Sequence, residues 1–396
     1  MNPKLQQRLK QHQLDSQAPE RRLMLARQAV DGAYVNIQQK SYLNFCHNDY
    51  LGLSQHPKVV EAAQSALSEF GVGSTASQWV LGLSETHEAL KHTIAEWLNQ
   101  PKATLFSSTF LANLGTMQSL IKRHDTVFHD RENHASLIDA IRSTRCHQKR
   151  YSRSEKLSQL TEGLAKSNDD HLRWIITDAV FSMSGAQAPL KPLTKLAKQF
   201  KAQLIIDDAH GIGVLGQSGA GTASQQTIKP SQLTAHIIGF GKALGTMGGA
   251  VAGDASLIDH IEQNARSLAF TTAPPTCVAA ATLAAIKLIK QQPEILEKLQ
   301  HNIHYFVSHT QQIPQVYCEN FAIVRLITKD RTLAHKCCHF LKQRGFWTHV
   351  VQPPSVAMAN TGLRITLSSL HSRNHIHQLL EAIHEMQRTE MLGRWH

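Results

Sequence analysis

The chain has 396 residues, of which 42% are hydrophobic and 18% are charged. This length predicts about two to three domains and a large core, and the composition excludes intrinsic disorder and a coiled coil. The formal net charge is +11, but no block of five or more Lys or Arg carries the excess. Charge spread in this way argues against a nucleic-acid-binding arm and favours a diffuse positive field that attracts anionic ligands.

Nothing in the sequence indicates secretion or membrane insertion. The N-terminus is polar and helical in pattern, without the apolar run of a signal peptide. The longest stretch of mostly apolar residues, over 273–286, is shorter than the ~18 residues that a membrane span needs. The six cysteines show no CxxC spacing, which indicates reduced thiols. We therefore expect a soluble cytoplasmic protein.

The predicted elements begin with an amphipathic helix and a hairpin-like pair of strands over 34–37 and 42–45. From about residue 55, short β-rich runs alternate with helical stretches. This alternation predicts a mostly parallel sheet with helices on both faces. The predicted strands of this part lie over 104–106, 126–129, 174–177, 203–206, 236–238 and 250–252.

A smaller α/β unit is predicted beyond about residue 290. Its expected elements are a helix over 294–307, a strand over 321–327, a helix over 333–341, strands over 347–350 and 363–367, and a helix over 376–386. The proline pair at 274–275 and the single proline at 293 mark breaks around the helix that joins the two units. We therefore predict an N-terminal segment over 1–49, a large domain over 50–289 and a small domain over 290–396.

The sharpest chemical signal is a buried strand that leads directly into polar side chains. The apolar run 204–206 is followed by Asp207, Asp208 and, two positions on, His210. In open α/β sheets, functional side chains collect at the carboxyl ends of the strands. An Asp at this point costs desolvation unless a cation meets it, although a strand end that simply leaves the core would look the same.

The glycines over 211–216 match the GxGxxG pattern of dinucleotide-binding folds. They begin four residues beyond the strand, no helical pattern opens after them, and the stretch 229–240 contains no acidic residue for a ribose hydroxyl. We therefore reject a dinucleotide site and predict a tight loop.

Three further strand ends carry candidate residues. Lys242 stands among small and apolar residues, where partial desolvation lowers the pKa of a lysine and makes its amine nucleophilic. The alternative is a loop lysine that extends to solvent. His134 stands where a helix begins and Ser182 lies in a turn rich in Ser and Gly, so each has a purely structural alternative. Together, Asp, His and Lys at neighbouring strand ends suit pyridoxal 5′-phosphate, because the lysine forms an imine and the carboxylate keeps the pyridine nitrogen protonated.

These motifs resemble those of the α-oxoamine synthases, pyridoxal-phosphate enzymes of fold type I. The resemblance covers nearly the whole chain and is carried by the segments 42–45, 48–53, 133–136, 181–183, 207–211, 240–245 and 363–367. It implies an α/β fold with a mostly parallel sheet in the large domain and a smaller C-terminal α/β domain. Within the family, the chain looks most like the members of biotin biosynthesis, which condense L-alanine with a pimeloyl thioester of coenzyme A or acyl-carrier protein.

The resemblance also implies roles for the matching residues. Catalysis is implied for Lys242 as the Schiff-base lysine, Asp207 as the partner of the pyridine nitrogen, and His134 as the residue stacked on the ring. Further cofactor contacts are implied for His210 and Ser182 at the ring hydroxyl, for Thr109, Phe110 and Gly239 near the phosphate, and for Thr271 and Thr272 from the partner subunit of a homodimer with shared sites. Substrate contacts are implied for Arg21, Asn48, His134, Ser355 and Arg364, the last as a carboxylate clamp.

Three departures from the family pattern lie around the phosphate. Gly239 stands where the family usually has Ser or Thr, and Thr109 replaces a glycine. The segment 269–275 is one residue shorter before its prolines. We therefore expect phosphate binding to depend more on Thr271 or Thr272. The pair at 78–79, Gln and Trp, also stands where the subgroup has a basic residue.

Three other functions stay open at this point. A family member that uses glycine or serine, such as 2-amino-3-ketobutyrate ligase (glycine C-acetyltransferase), would carry the same motifs. A basic nucleic-acid-binding protein would need a clustered basic face with exposed aromatics, whereas only 6% of the residues are aromatic. A His-rich metalloenzyme is disfavoured because His124, His129 and His134 span a strand and its loop.

Overall fold

The computed structural model describes residues 1–15, 25–153, 157–167 and 170–392. The helices of this part are α1 Pro3–Asp15, α2 Pro57–Phe70, α3 Glu85–Trp97, α4 Thr109–Leu120, α5 Ala135–Ser143, α6 Ser158–Ala165, α7 Leu190–Gln199, α8 Gly221–Gln225, α9 Ala255–Asn264, α10 Arg266–Ala269, α11 Thr276–Gln291, α12 Pro293–Thr310, α13 Arg331–Gln343 and α14 Arg373–Arg388. The strands are β1 Ala29–Asp31, β2 Tyr34–Ile37, β3 Lys40–Asn44, β4 Lys102–Phe106, β5 Thr126–Asp130, β6 His147–Tyr151, β7 Arg173–Asp178, β8 Gln203–Asp207, β9 Ala235–Gly239, β10 Gly249–Gly253, β11 Val316–Cys318, β12 Ile323–Ile327, β13 Phe346–Trp347, β14 His349–Val351 and β15 Gly362–Thr366.

A seven-stranded sheet in the order β4-β10-β9-β8-β7-β5-β6 forms the centre of the molecule. Strand β10 runs antiparallel to both its neighbours, and the other strand pairs are parallel. Every residue of β7, β9 and β10 is buried, as expected for strands with helices on both faces. The predicted mostly parallel sheet is confirmed, and it brings the carboxyl ends of β5, β7, β8 and β9 to one edge.

Two smaller sheets flank the central one. Strands β11-β12-β15-β14 form an antiparallel sheet in the C-terminal part, with α12, α13 and α14 from the same part of the chain. Strands β2 and β3 form the expected N-terminal hairpin. Strand β1, which was not predicted, pairs with β2, and β13 joins in parallel beside β3. The smaller C-terminal α/β unit is therefore confirmed. The boundaries at 49/50 and 289/290 stay a prediction.

The predicted strand over 347–350 is wrong in part. The structure has two short strands there, interrupted at Thr348: β13 pairs with β3, whereas β14 pairs with β15 in the other sheet. Strand β6 was not predicted, because His147–Tyr151 is polar and its first four residues are exposed at the edge of the central sheet.

The helix starts follow ordinary capping chemistry. The Ser108 hydroxyl accepts a hydrogen bond from the Leu111 N–H at the start of α4, and the Asp330 carboxylate accepts one from the Leu333 N–H at the start of α13. All six cysteines are free. Within the described ranges, no helix combines the length and apolar character that a membrane span needs.

Candidate active site

Lys242 lies three residues beyond the last residue of β9, in a turn at the carboxyl edge of the central sheet. Its side chain is half-buried, and the burial lowers the pKa of its amine. The nearby carboxylates of Asp207 and Asp178 oppose this shift, whereas the guanidinium of Arg364 adds to it. These electrostatic contacts show that the ends of β7, β8 and β9 meet around the lysine.

Asp207 ends β8 and is only 4% exposed. One carboxylate oxygen, Oδ2, accepts a hydrogen bond of 2.7 Å from Asn113 Nδ2, and the other, Oδ1, accepts one of 3.0 Å from the Ala209 N–H. Among the described residues, no salt bridge of Asp207 with Lys, Arg or His is present. A buried, firmly held carboxylate without a paired cation fits a protonated pyridine nitrogen.

Asn113 is a site residue that sequence reasoning missed. It is fully buried on α4, and its amide nitrogen reaches both Asp207 and the Ser136 hydroxyl, the latter at 2.8 Å. The only signal in the sequence was an amide side chain within the mostly apolar run of α4. The amide thus fixes the carboxylate at the end of β8 and joins it to the start of α5.

His134 caps α5, as its position in the sequence predicted. Its Nδ1 accepts a hydrogen bond of 3.2 Å from the Ser136 N–H, and its own backbone N–H donates to Asp178 Oδ2. Burial lowers the pKa of the imidazole. The ring is therefore held neutral with Nδ1 as acceptor, which leaves the proton on Nε2. Asp178 is buried too, and burial together with Asp207 raises its pKa well above the usual range.

Arg364 projects from β15 and is 8% exposed. Its guanidinium donates to the Ser182 carbonyl (Nε, 2.9 Å), the Thr366 hydroxyl (Nη1, 3.1 Å) and the Asn48 side-chain oxygen (Nη2, 2.9 Å). These acceptors are neutral, and within the described residues no carboxylate forms a salt bridge with this guanidinium. The arrangement leaves a positioned positive charge for an anionic ligand.

His210 lies behind this site and is fixed by Tyr50. The Tyr50 hydroxyl and His210 Nδ1 hydrogen-bond at 2.7 Å, and both residues are buried. Burial lowers the pKa of His210 well below its usual range and raises the pKa of Tyr50 to about 12. Both groups are therefore neutral near pH 7, and they can act as hydrogen-bonding partners without bringing a charge into the site.

The predicted phosphate residues lie near one another at the N-terminus of α4. Thr109 is the first helical residue and is half-buried, whereas Phe110 is 43% exposed. The segment with Thr271 and Thr272 runs alongside, because the Ser107 hydroxyl donates to the Thr272 carbonyl at 3.0 Å. The helix α11 begins at Thr276 with Pro275 as its N-cap, so the two threonines do not cap it.

Two predicted substrate residues, Ser355 and Arg21, remain. Ser355 is exposed on the loop between β14 and β15, and Arg21 lies outside the described residues. The part of the chain that the structure describes contains no group of three or more His, Cys, Asp or Glu arranged to hold a metal ion.

Comparison with known proteins gives consistent matches along the chain. The family described as aminotransferase class I and II matches residues 40–383. The 8-amino-7-oxononanoate synthase of Methylococcus capsulatus is 40% identical over 342 residues, covering 86% of this chain and 88% of that protein. The enzyme of the same name from Buchnera aphidicola is 35% identical, covering 92% of this chain and 94% of that protein.

Solved structures match in fold as well. The crystal structure of 8-amino-7-oxononanoate synthase from Francisella tularensis has a TM-score of 0.77 and 28% identity, covering 88% of this chain and 98% of that chain. A serine palmitoyltransferase from S. paucimobilis has a TM-score of 0.89 at 24% identity, covering 96% of both chains, which shows a shared fold. The chain belongs to the aminotransferase class I and II family, and within it to the family of the 8-amino-7-oxononanoate synthases. The predicted fold type I architecture is thereby confirmed.

Proposed function

We propose that this protein condenses L-alanine with a pimeloyl thioester of coenzyme A or acyl-carrier protein, and so forms 8-amino-7-oxononanoate, CO₂ and a free thiol in biotin biosynthesis. Relatives at 35–40% identity carry the name of this synthase. The observation that carries the proposal is the convergence of Lys242, Asp207 and the uncompensated guanidinium of Arg364 on one edge of the central sheet.

The residues at this edge fit pyridoxal 5′-phosphate. When bound, this cofactor supplies an aldehyde for an amine and a protonated ring that withdraws electrons from the substrate Cα. Asp207 would hold the proton on the ring nitrogen, with both its oxygens fixed by Asn113 and the Ala209 N–H. Ser182 and His210 would face the ring hydroxyl, and His134 would lie against the ring.

Lys242 would transfer the proton at the substrate Cα. A lysine can accept a proton only as the free amine, and burial lowers the pKa of Lys242 from its ordinary value near 10.5. The neutral amine is therefore populated closer to neutral pH than in an exposed lysine, as a general base requires.

Arg364 would bind the amino-acid carboxylate. Its fork is already oriented by the Ser182 carbonyl and Asn48, so little side-chain entropy is lost when an anion binds. Fixing the carboxylate also fixes the direction of the Cα–H bond relative to Lys242, which places the proton near its acceptor.

His134 would hydrogen-bond the thioester oxygen. Because Nδ1 already accepts from the Ser136 N–H, the neutral ring presents Nε2–H as a donor. A donor at that atom stabilises the negative charge that develops on the oxygen as the new carbon–carbon bond forms. The net charge of +11 attracts a phosphate-bearing or acidic acyl carrier.

We further propose a homodimer with sites shared between subunits. An apolar face follows α2 and the loops beside α11: Val60, Leu67 and Met247 line one groove there and are 37–65% exposed. Nearby, the rings of Trp79 and Phe270 lie 6.1 Å apart and are also exposed. A face of this kind fits a second copy of the chain, and it adjoins the two threonines proposed to reach the partner's phosphate.

The test is substrate turnover by the purified protein. L-Alanine, glycine and L-serine are each paired with pimeloyl-coenzyme A, pimeloyl-acyl-carrier protein, acetyl-coenzyme A and a long-chain acyl-coenzyme A, and release of the free thiol is measured. We expect the highest kcat/KM for L-alanine with a pimeloyl donor. A preference for glycine with acetyl-coenzyme A would instead identify a glycine C-acetyltransferase.

A further inference from the structure

Gly239 and Thr109 share one small space at the end of β9. A Cβ atom built on Gly239 would lie 2.6 Å from the Thr109 hydroxyl oxygen and 2.9 Å from the Ala209 Cβ. Contacts this short do not occur between real side chains. The hydroxyl on α4 therefore occupies the position that a side chain at residue 239 would fill, and the glycine is what makes room for it.

The same face of α4 also contacts the other end of the proposed cofactor site. Asn113, one turn after Thr109, donates to Asp207 at the ring-nitrogen position. Four residues of α-helix rise about 6 Å, which is of the order of the size of a pyridine ring with one substituent arm. The start of α4 also offers backbone N–H groups that have no carbonyl partner within the helix.

We propose that the Thr109 hydroxyl is a side-chain donor to the cofactor phosphate, and that it substitutes from α4 for the hydroxyl that Gly239 lacks on β9. The glycine at residue 239 and the threonine at residue 109 are then a single exchange, in which the hydroxyl lost from β9 is replaced by one on α4. Within the chain, this hydroxyl has only a weak contact of 3.4 Å with the Gly248 carbonyl, so it is available to a ligand. The inference rests on the pyridoxal-phosphate site of the proposed function.

The experiment compares two ligands that differ only in the phosphate. The full-length chain, freed of cofactor, is titrated with pyridoxal 5′-phosphate and with pyridoxal, and the absorbance of the imine gives the two dissociation constants. The variants are Thr109→Val, the matched control Thr109→Ser, Gly239→Ser, and the double variant Thr109→Gly/Gly239→Ser. The melting temperature of each cofactor-free variant shows whether it is folded.

Thr109→Val should weaken the binding of pyridoxal 5′-phosphate by at least about tenfold, the low end expected for one hydrogen bond to a charged group, and change pyridoxal binding less than about twofold. Thr109→Ser should bind as the wild type does. Gly239→Ser should bind pyridoxal 5′-phosphate weakly, because the added atoms collide with Thr109 and Ala209. The double variant, which is relieved of the closer of these contacts, should bind better than Gly239→Ser.

Two results would overturn the inference while wild-type binding is normal. One is an equal loss for both ligands, or no loss, in Thr109→Val. The other is a Gly239→Ser variant that binds pyridoxal 5′-phosphate as tightly as the wild type does. If the wild-type chain itself bound no pyridoxal 5′-phosphate, the proposed function would fail with it. The titration contains no amino acid or acyl donor, so an error in the proposed substrates leaves its outcome unchanged.

Discussion

The reactivity proposed for Lys242 depends on its surroundings rather than on its own chemistry. Its amine is buried beside two carboxylates and near one guanidinium. We expect the purified protein to be yellow, and borohydride to attach the cofactor to this residue, as peptide mass spectrometry would show. Lys242→Ala should abolish turnover, whereas Lys195→Ala, on the exposed side of α7, should not. A chain that stays colourless with added pyridoxal 5′-phosphate would contradict the cofactor assignment.

Two adjacent aspartates at the end of β8 have different environments. Asp207 has oxygens fixed by neutral donors, whereas Asp208 accepts from the Thr222 N–H and hydroxyl and contacts His236 at 3.2 Å. Asp207 is thus free to serve a ligand, and Asp208 holds the loop at Thr222 to the core.

We therefore expect Asp207→Asn to fold normally and to lose at least about 10²-fold in kcat, because an amide does not keep the ring nitrogen protonated. The matched variant Asp208→Asn should instead lower the melting temperature. Steady-state kinetics and thermal unfolding of both variants give the comparison. Near-normal turnover in Asp207→Asn would assign the ring nitrogen to another group.

Site residues at the ends of apolar strands could be predicted because the strand itself marks their position. Asp207 and Lys242 follow continuous apolar runs, and parallel strands bring their carboxyl ends together. Asn113 could not be predicted in this way. It lies within a helix, and its role depends on which side of α4 faces the end of β8, which is set by tertiary packing.

At the scale of secondary structure, six of the seven strands of the central sheet were predictable for the same reason. The strands β13 and β14 were not, because the sequence around Thr348 reads as one extended run and its two halves pair with different partners. Pairing is decided by long-range contacts, and a local pattern does not encode it. The polar edge strand β6 lacks even the apolar pattern.

His371 joins the N-terminal and C-terminal parts. It follows β15, its Nδ1 accepts from the Ser368 N–H, and its Nε2 donates to the Asn44 carbonyl at 3.2 Å. Its ring stacks on Phe45 with the centroids 4.0 Å apart. Burial lowers the pKa of this imidazole to about 3.

This burial makes the fold sensitive to acid. The unfolded chain binds a proton at this histidine near pH 6.5, whereas the folded chain binds it only near pH 3. The free energy of unfolding therefore falls as the pH drops below 6.5, by up to about 1.4 kcal/mol per pH unit from this group. His371→Asn should be less stable at pH 7.5 but should lose less on going to pH 5.5.

Urea unfolding at the two pH values measures the effect. His92→Asn, at an exposed position on α3, is the control for replacing a histidine outside the core. Other buried histidines with lowered pKa values, such as His87 and His129, contribute in the same direction. In His371→Asn, the change in the free energy of unfolding between the two pH values should accordingly become smaller rather than vanish. An unchanged slope would mean that His371 is protonated in the folded state.

At the scale of the whole molecule, the shared-site proposal predicts complementation between two inactive chains. One chain carries Lys242→Ala, and the other carries Ala at both Thr271 and Thr272. In the mixed dimer, one site keeps its lysine and receives intact threonines from its partner, so partial activity should return. The amount of differently tagged heterodimer, measured after affinity purification, normalises the rate.

The control pairs Lys242→Ala with Asp207→Asn on separate chains. Both residues lie at the ends of strands of one central sheet, so we expect each site to take both of them from the same chain. Each site of that mixed dimer then lacks one of the two residues, and activity should stay low. Equal rates in the test and control pairs, or a fully active monomer, would refute the proposal that Thr271 and Thr272 act across the interface.

Backbone hydrogen bonds on both sides of Asn48 join its segment to the C-terminal sheet, and the Tyr50 hydroxyl joins the same segment to His210 beyond β8. The Phe45 carbonyl accepts from the Thr366 N–H and the Tyr50 carbonyl from the Ser369 N–H, each at 2.8 Å. Asn48 and Arg364 are therefore held together and, through the hydrogen bond of Arg364 with the Ser182 carbonyl, to the loop that follows β7. An amino acid bound through its carboxylate by Arg364 and through its nitrogen near Lys242 would span the space between these two side chains. The distance between the carboxylate and the nitrogen is the same in every α-amino acid. Selection between alanine and similar amino acids would therefore depend on the space around the substrate side chain.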